Sequence, residues 1–425
     1  MKKIIVILLS LTALANLAVA ATSNYYLRTA LYFDWFGARY EEGSFMNQLS
    51  TRLKFEFSPS SSREWTVLVD VRDRYNVHER GQNQFILYDA RVIYNPQSRP
   101  FYFSVGQMNL YDTAGIGQLL GGIFGFKIKR NLLLGGYAGL EQATYVNKVD
   151  FHYQKYGVFA RYDGAGAKSF SLSYNHLRYS GKNEQQYLYA QAFMPVQKTL
   201  FVYGNVQYEL GPHLATQDRL SLLFLNARAD ITQYADATVY FSQGKGLDFH
   251  RYLVDRSLDP SLNDQDLQRF FYSRQYGLRL SFKPVKNVKL YVSRQESEQK
   301  DYGLKNHTWR LGASVWDILK SGFSLYGDYS FNRGDLAESD SYYISLNKDF
   351  GRFSWYATFS NTYTGFRYVG GAETPRIIHF SNYRNLATSV FYYLNRSISI
   401  SVEYNYFMQE HLNQHLFFVR LMFRR

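Results

Sequence analysis

Apolar and polar residues alternate one by one along most of the chain. Segments 49–57, 65–72, 276–282 and 397–406 place apolar or aromatic side chains at every second position, with mostly polar residues between them. A period of two is typical of a strand with one apolar and one polar face. Helical periodicity is scarce, and only 111–120 and 245–269 leave room for a short helix. The pattern therefore predicts an all-β chain.

Short and long connections alternate between these segments. The short ones carry Pro, Gly, Asn or Ser, as at 58–62, 129–131, 163–166, 195–197 and 284–287. The long ones are polar, as at 37–46, 76–83, 210–217, 245–269, 332–340 and 364–380. Following the alternation to the end predicts an up-and-down order of about 18–22 antiparallel strands, with 22 as the best count and both ends on the short-turn side. Near Gln154-Lys155 the phase changes, which requires a bulge or an extra tight turn.

The N-terminus has the form of a secretory signal peptide. Lys2 and Lys3 precede an apolar stretch from Ile4 to Ala15, and Ala18-Val19-Ala20 supplies small residues before a cleavage point. We expect residues 1–20 to be removed after Sec-type export, leaving 21–425 as a single domain. Their removal takes away two lysines and lowers the net charge from +13 to +11. No later run reaches the roughly 18 apolar residues of a spanning helix.

Composition narrows the class of protein further. The chain has no cysteine, which excludes disulfides and thiolate metal sites. It has 39 tyrosines and 33 phenylalanines, yet its mean hydropathy is −0.34, too polar for a bundle of spanning helices. Tyrosine suits a surface with one apolar and one wet side. The pI of about 9.4 comes without any nucleic-acid-binding motif, so no nucleic-acid partner is expected.

These features together favour a closed barrel in a membrane. A soluble sandwich would need two sheets of about 11 strands each, which is unusual. Closing one sheet removes both open edges, with the apolar face turned to lipid and the polar face to a wet lumen. Aromatic residues near strand ends fit the girdles of such barrels, among them Tyr94, Phe101, Tyr162, Tyr208, Tyr272 and Tyr329.

The last strand resembles the C-terminal signature of Gram-negative outer-membrane β-barrels of porin type. Its alternating residues are His415, Phe417, Val419, Leu421 and Phe423. The family usually ends on Phe or Trp, whereas this chain continues through Arg424-Arg425. In addition, 103–107, a glycine-rich loop and 121–126 look like the strand–loop–strand before the constriction of larger substrate-selective porins.

The resemblance implies a transmembrane barrel in the outer membrane, inserted by the barrel-assembly machinery and surrounded by outer-membrane lipid and lipopolysaccharide. It also implies passive passage of small hydrophilic solutes. Strand-like alternation begins at about Tyr25, which leaves no room for the plug domain of TonB-dependent transporters. The oligomeric state stays open.

The polar face gives an inventory of lumen charges. Basic candidates are Arg52, Lys54, Arg72, Arg91, Lys127, Lys129, Arg228, Arg279, Lys289, Arg310, Arg420 and Arg424. Acidic candidates are Glu56, Asp70, Asp89, Asp230, Asp328, Asp349 and Glu403. The candidate solute-binding residues are Arg52, Lys54, Arg72, Arg91, Arg228, Arg279, Lys289 and Arg310. A basic excess favours a mild anion preference; alternatively, the charges form cross-strand pairs that hold the inner wall.

A barrel of 22 strands spaced ~4.8 Å apart and tilted by ~40° would be about 44 Å across, so something must narrow it. The two inward-folding candidates are the long loops 245–269 and 111–122. We expect no metal, cofactor or catalytic group. His411 and His415 have a helical metal spacing but fall on a strand, and the nine histidines form no Ser/Asp constellation. A closed structural or adhesive barrel and an outer-membrane hydrolase remain as alternatives to a porin-like channel.

Overall fold

The structure is a computed structural model, and it describes residues 25–40, 45–59, 63–77, 84–110, 115–143, 148–210, 219–245, 272–299, 303–335, 337–368, 376–409 and 412–424. The proposed signal peptide 1–20 lies outside these ranges. So does the proposed loop 245–269, apart from Lys245, the last residue of its strand.

The described chain is almost entirely strand. The strands are β1 Tyr26–Tyr40, β2 Phe45–Ser58, β3 Trp65–Asn76, β4 Gln84–Tyr94, β5 Phe101–Leu110, β6 Gly117–Lys129, β7 Leu132–Ala143, β8 Lys148–Asp163, β9 Ser169–Tyr179, β10 Lys182–Gln197, β11 Leu200–Glu209, β12 Leu220–Thr232, β13 Ala235–Lys245, β14 Tyr272–Val285, β15 Val288–Gln299, β16 Leu304–Val315, β17 Phe323–Gly334, β18 Ala337–Asp349, β19 Phe353–Tyr368, β20 Arg376–Tyr393, β21 Ile398–Gln409 and β22 Leu412–Arg424.

Each strand pairs antiparallel with the next one along the chain, and β1 also pairs with β22. The sheet is therefore a closed up-and-down barrel of 22 strands, which confirms the predicted fold and best count. β1 begins and β22 ends at the end of the barrel that carries the short turns, as the alternation predicted. The predicted phase change is also present, because the β7–β8 register shifts between the pairs Leu140–Gln154 and Gln142–Val149.

Apolar side chains cover the outside of the barrel. On β14, Leu278, Leu280 and Phe282 are 43%, 45% and 51% exposed, whereas the intervening Ser281 is 4% exposed. The apolar face continues on the neighbouring strand β13, where Val239 is paired with Leu278 and is 53% exposed. An apolar band this continuous would be unfavourable in water and suits hydrocarbon.

Three expectations need correction. Residues 117–120 are the first part of β6, so no helix occupies them. The loop placed at 364–380 is shorter, because backbone pairing extends β19 to Tyr368 and begins β20 at Arg376; the remaining 369–375 lie outside the described ranges. Tyr329 sits in the middle of β17 rather than near its end.

Helical structure in the described part is limited to two 3-10 turns, at Ala165–Ala167 and Ile318–Lys320. No helix found there combines the length and apolar character needed to cross a bilayer.

Candidate functional site

A shared carboxylate joins the first and last strands on the inner wall. Asp34 on β1 accepts hydrogen bonds from Arg420 Nε at 2.7 Å and from Nη2 at 3.2 Å. Arg72 Nη2 on β3 approaches the same carboxylate at 3.6 Å and also donates to Ser50 Oγ at 3.0 Å. The Asp34 side chain is only 5% exposed, so this pairing both closes the barrel and neutralises part of its inner charge.

The predicted residues Arg52 and Lys54 share a second carboxylate. Arg52 donates through Nε and Nη2 to Asp70, at 2.7 and 2.8 Å, in a bidentate geometry. Lys54 Nζ lies 3.8 Å from the same side chain, and the Arg52 guanidinium also lies over the Tyr88 ring, 4.7 Å from its centroid. On the next strand Arg91 Nε stands 3.1 Å from Asp89 Oδ1. Strands β1–β4 therefore form a continuous, predominantly basic wall.

The other predicted residues lie elsewhere around the barrel. Arg228 pairs with Asp230 at 3.2 Å, and Lys289 donates to Asp236 at 2.9 Å. Arg279 lies over the Tyr291 ring at 3.8 Å from its centroid. Arg310 faces the lumen opposite Ser330. The structure therefore brings Arg52, Lys54, Arg72 and Arg91 together and leaves Arg228, Arg279, Lys289 and Arg310 distributed over the far wall.

Tyrosines and one aspartate organise that far wall. The Tyr291 and Tyr326 hydroxyls are 2.6 Å apart, and both donate to Asp328, at 3.3 and 2.6 Å. The Tyr343 and Tyr356 hydroxyls also meet, at 2.5 Å. Serine, threonine and asparagine fill most of the intervening inward positions. This wall offers hydroxyl and amide groups rather than net charge.

The charge is unequal between the two sides of the lumen. Among inward side chains that the structure describes on β22 and β1–β8, twelve are basic and six are acidic. On β13–β21 four are basic and four acidic. The lumen is therefore bounded by a cationic wall on one side and by a neutral polar wall on the other.

A hairpin narrows the lumen beside the cationic wall. β5 pairs with β4 only from Phe103 to Gln107, although it continues to Leu110. β6 begins at Gly117 but pairs with β7 only from Leu120. Residues 108–110 and 115–119, which we call the constriction hairpin, therefore leave the wall while β5 and β6 stay paired with each other.

The apolar side chains of the constriction hairpin are buried inside the barrel. Met108, Leu110, Ile116 and Leu119 are between 0% and 4% exposed. They pack on inward side chains of the adjoining strands, namely Ile123, Tyr137 and Phe159, with Tyr102 and Leu133 at the edge. Apolar groups at a wet surface would cost free energy, so this cluster holds the hairpin in the lumen.

Glycine makes the inward course possible. Gly106, where β5 leaves β4, has φ = +134°, and a Cβ there would lie 2.1 Å from the Ala90 carbonyl oxygen. A Cβ at Gly139 would lie 2.9 Å from Leu119 Cδ1. Gly106 therefore allows the strand to bend, and Gly139 leaves space under the hairpin.

Gly115 of the constriction hairpin contacts β10. Tyr187 donates its hydroxyl proton to the Gly115 carbonyl oxygen at 3.2 Å. Gly115 also lies so close to the Tyr189 ring that a Cβ would come within 2.6 Å of it. Of the two predicted inward-folding loops, 111–122 is thus confirmed at residues 115–119, whereas residues 120–122 belong to the wall through their pairing with β7.

Sequence reasoning missed several inward ionic residues. Asp34, Asp236 and Glu209 occupy polar positions of alternating strands, so the same parity count would have found them. Lys155, whose Nζ lies 3.2 Å from Glu141 Oε1, follows the β8 phase change, where parity is ambiguous. Within the described ranges, no group of three or more His, Asp or Glu side chains could hold a metal ion.

Comparison with known proteins finds similarity to solved structures. No protein-family model matches the chain, and no curated protein matches it. Pseudomonas aeruginosa OccD3 (OpdP) has a TM-score of 0.45 and 10% identity, covering 94% of this chain and 91% of that one. P. aeruginosa OpdK with vanillate gives 0.46 and 8%, covering 94% and 98%. Acinetobacter baumannii OccAB4 gives 0.43 and 10%, covering 95% and 98%.

Proposed function

We propose that the protein is an outer-membrane channel through which small hydrophilic solutes diffuse passively, with a mild preference for anions. The observation that carries this proposal is the closed barrel with apolar residues outside and charged residues inside. An Arg or Lys on a lipid-facing position at mid-depth would cost about 2–4 kcal/mol. The same side chain on the inner face remains hydrated, so the charged face of this barrel surrounds water.

The constriction hairpin argues for selective passage rather than open sieving. A ring of 22 strands, about 44 Å across by strand spacing and tilt, would pass most metabolites if it were empty. The hairpin occupies part of this section beside β6–β10 and leaves the passage between the cationic wall and the tyrosine-rich wall.

The anion preference rests on the uneven distribution of charge. Rings or walls of Arg and Lys favour anions. Several cations are neutralised by carboxylates, as Arg52 is by Asp70 and Arg420 by Asp34. The remaining excess is modest, and so is the preference that we expect.

Lipid and assembly partners follow from the outer surface. The outward residues His415, Phe417, Val419, Leu421 and Phe423 of β22 form an alternating strip that the barrel-assembly machinery could read. Near the long-loop end of β15, Arg294 pairs with Glu296, and His307 Nδ1 lies 3.5 Å from the same carboxylate. Ionic groups at this level suit the phosphates of lipopolysaccharide.

Planar-bilayer recording of the refolded mature chain tests the proposed function. Stable ohmic pores with a reversal potential that favours chloride in a KCl gradient would support it. Folded, heat-modifiable barrel without conductance would favour the closed structural alternative. Hydrolysis of a phospholipid or peptide, abolished by alanine at one histidine, would favour the hydrolase.

A further inference from the structure

A cationic cavity lies inside the barrel at the short-turn end of β4–β8. Its volume is about 380 Å³, in the range of small-molecule sites. Arg91, Lys127, Lys129, Arg130 and Arg161 line it, and none of the acidic residues of the far wall reaches it.

Two carboxylates offset only part of this charge. Asp89 is 3.1 Å from Arg91 Nε, and Asp163 accepts a hydrogen bond from Arg161 Nε at 2.9 Å. Lys127 donates to the Pro96 carbonyl oxygen at 2.7 Å, a neutral partner that leaves its charge in place. Five cations therefore face two carboxylates, which suits a dianion better than a monoanion.

Neighbouring cavities in the described structure lack this excess. The cavity between β1 and β4 is lined by Arg28, Lys54 and Arg424, and equally by Glu56, Asp70 and Asp89. The cavity at the short-turn end of β11–β14 has Arg228 and Lys283 against Asp230 and Asp236. Charge alone thus separates the β4–β8 cavity from the others.

The cavity also has an apolar side. Leu110, Ile123, Leu133 and Phe159, which belong to or contact the cluster under the constriction hairpin, line it together with Tyr102. A ligand with an anionic head and a compact apolar body would contact both sides.

We propose that this cavity, which we call the anion cavity, binds small phosphate monoesters with an aromatic or aliphatic group, as a subsite on the short-turn side of the constriction. A phosphate monoester carries about −1.5 to −2 charges at neutral pH. Its oxygens accept hydrogen bonds from the lysines and from Arg161, while its organic group packs on Phe159 and Leu133. The proposal rests on the proposed channel function for its access route, because solute must reach the lumen.

Calorimetric titration of the refolded protein in detergent measures binding without requiring conduction. The probes are phenyl phosphate, inorganic phosphate and benzoate, at equal ionic strength. We expect phenyl phosphate to bind most tightly, inorganic phosphate more weakly because it lacks the ring, and benzoate more weakly because it has a single charge.

A matched pair of double variants locates the site. Lys127→Met with Lys129→Met removes two charges from the anion cavity and keeps the apolar stems. Lys283→Met with Lys286→Met removes the same charge at the short-turn end of β14. We expect phenyl phosphate affinity to fall about tenfold or more in the first pair, a loss of about 1.4 kcal/mol, and to change less than about twofold in the second. Both double variants must keep the electrophoretic mobility of the folded barrel and its change on heating.

Phe159→Ala tests the contact with the organic group of the ligand separately from the contact with its phosphate. It should weaken phenyl phosphate while leaving inorganic phosphate unchanged. Benzoate binding as tightly as phenyl phosphate, equal losses in both lysine pairs, or no saturable binding would each overturn the proposal. Binding that follows these rules in a barrel without conductance would retain the anion cavity and refute the channel. Conductance without binding would do the reverse.

Discussion

Single carboxylates decide how much of the basic inner wall is available to solutes. Asp70 neutralises Arg52 and faces Lys54, while Asp34 is divided between Arg72 and Arg420. A cation held in a bidentate pair contributes less field to the lumen than one without such a partner. In the proposed channel, ion selectivity would therefore follow the difference between inward positive and negative charges rather than the number of either.

Charge reversal at Arg52 and Arg310 should move selectivity towards cations. Each Arg→Glu change replaces an inward positive charge by a negative one, and Arg52→Glu also leaves Asp70 without its main partner. The reversal potential in a KCl gradient measures the shift. The opposite change, Asp70→Asn, should move it towards chloride.

Asp340→Asn provides the control for these changes, since Asp340 pairs with Arg333 on the outer face of β17–β18. It should leave the reversal potential where it was. Unchanged selectivity in all of the inward variants would remove these residues from the solute path.

The alternation along each strand was enough to place Arg52, Lys54, Arg72 and Arg91 on the inner face, because every second side chain of a strand points to the same side. It could not assign partners. Which carboxylate meets which guanidinium depends on cross-strand register, and bulges such as the one between Asp70 and Val71 change that register without a clear sequence signal.

At the scale of elements, the constriction hairpin is the part of the barrel that breaks the regular pattern. Its strands give up wall pairing beyond Gln107 and before Leu120 and gain a buried apolar cluster instead. The constriction hairpin is held to the wall by packing, by the Tyr187–Gly115 hydrogen bond and by a backbone hydrogen bond from Asn109 to Asp89. Truncating its buried side chains should therefore loosen it.

Ile116→Ala with Leu119→Ala should raise mean conductance and current noise. Each truncation of a buried Leu or Ile costs about 2–5 kcal/mol of packing free energy. We expect this loss to destabilise the inward position of the hairpin, while the barrel itself remains closed. Single-channel recording gives both quantities. Leu278→Ala, on the outer face, controls for loss of an aliphatic group, and an equal effect there would contradict the role of the hairpin.

Strand β18 offers a direct test of the two faces. Ile344 points outward and is 48% exposed, whereas Ser341 points inward opposite Ser330. Ile344→Arg should destabilise the barrel in bilayers by about 2–4 kcal/mol, and Ser341→Arg should be tolerated. Urea titration of the reversibly folded protein in vesicles compares them. Equal tolerance would mean that Ile344 does not face hydrocarbon.

The sequence predicted strand number and order well, because alternation and turn length repeat over the whole chain. It located the inward loop less well. The hydrophobic residues of 108–119 read equally as a short helix, a membrane-facing strand or a buried hairpin, and only their packing on Ile123 and Phe159 decides among these. The extent of β19 and β20 was also missed, since backbone pairing there continues past the residues that carry the alternating pattern.

On the scale of the whole molecule, the ring depends on one pairing between distant parts of the chain. β1 and β22 pair from Ala30–Arg424 to Tyr40–Gln414. Asp34 and Arg420, separated by 386 positions in sequence, form the main ion pair across this contact.

Asp34→Ala should therefore weaken closure of the barrel. It leaves the guanidinium groups of Arg420 and Arg72 without their carboxylate, and the loss of such charged hydrogen bonds costs about 1–3 kcal/mol. The temperature at which heat modifiability is lost should fall, and Asp34→Ala with Arg420→Ala should be less than additive. Additive effects would show that the pair is not coupled.

The β1–β22 contact also removes the two edges that an open sheet would expose. A chain lacking residues 412–424 would keep unpaired edges on β1 and β21, and such edges can recruit foreign strands. Truncation before β22 would therefore yield an open sheet that pairs with other strands rather than a smaller pore.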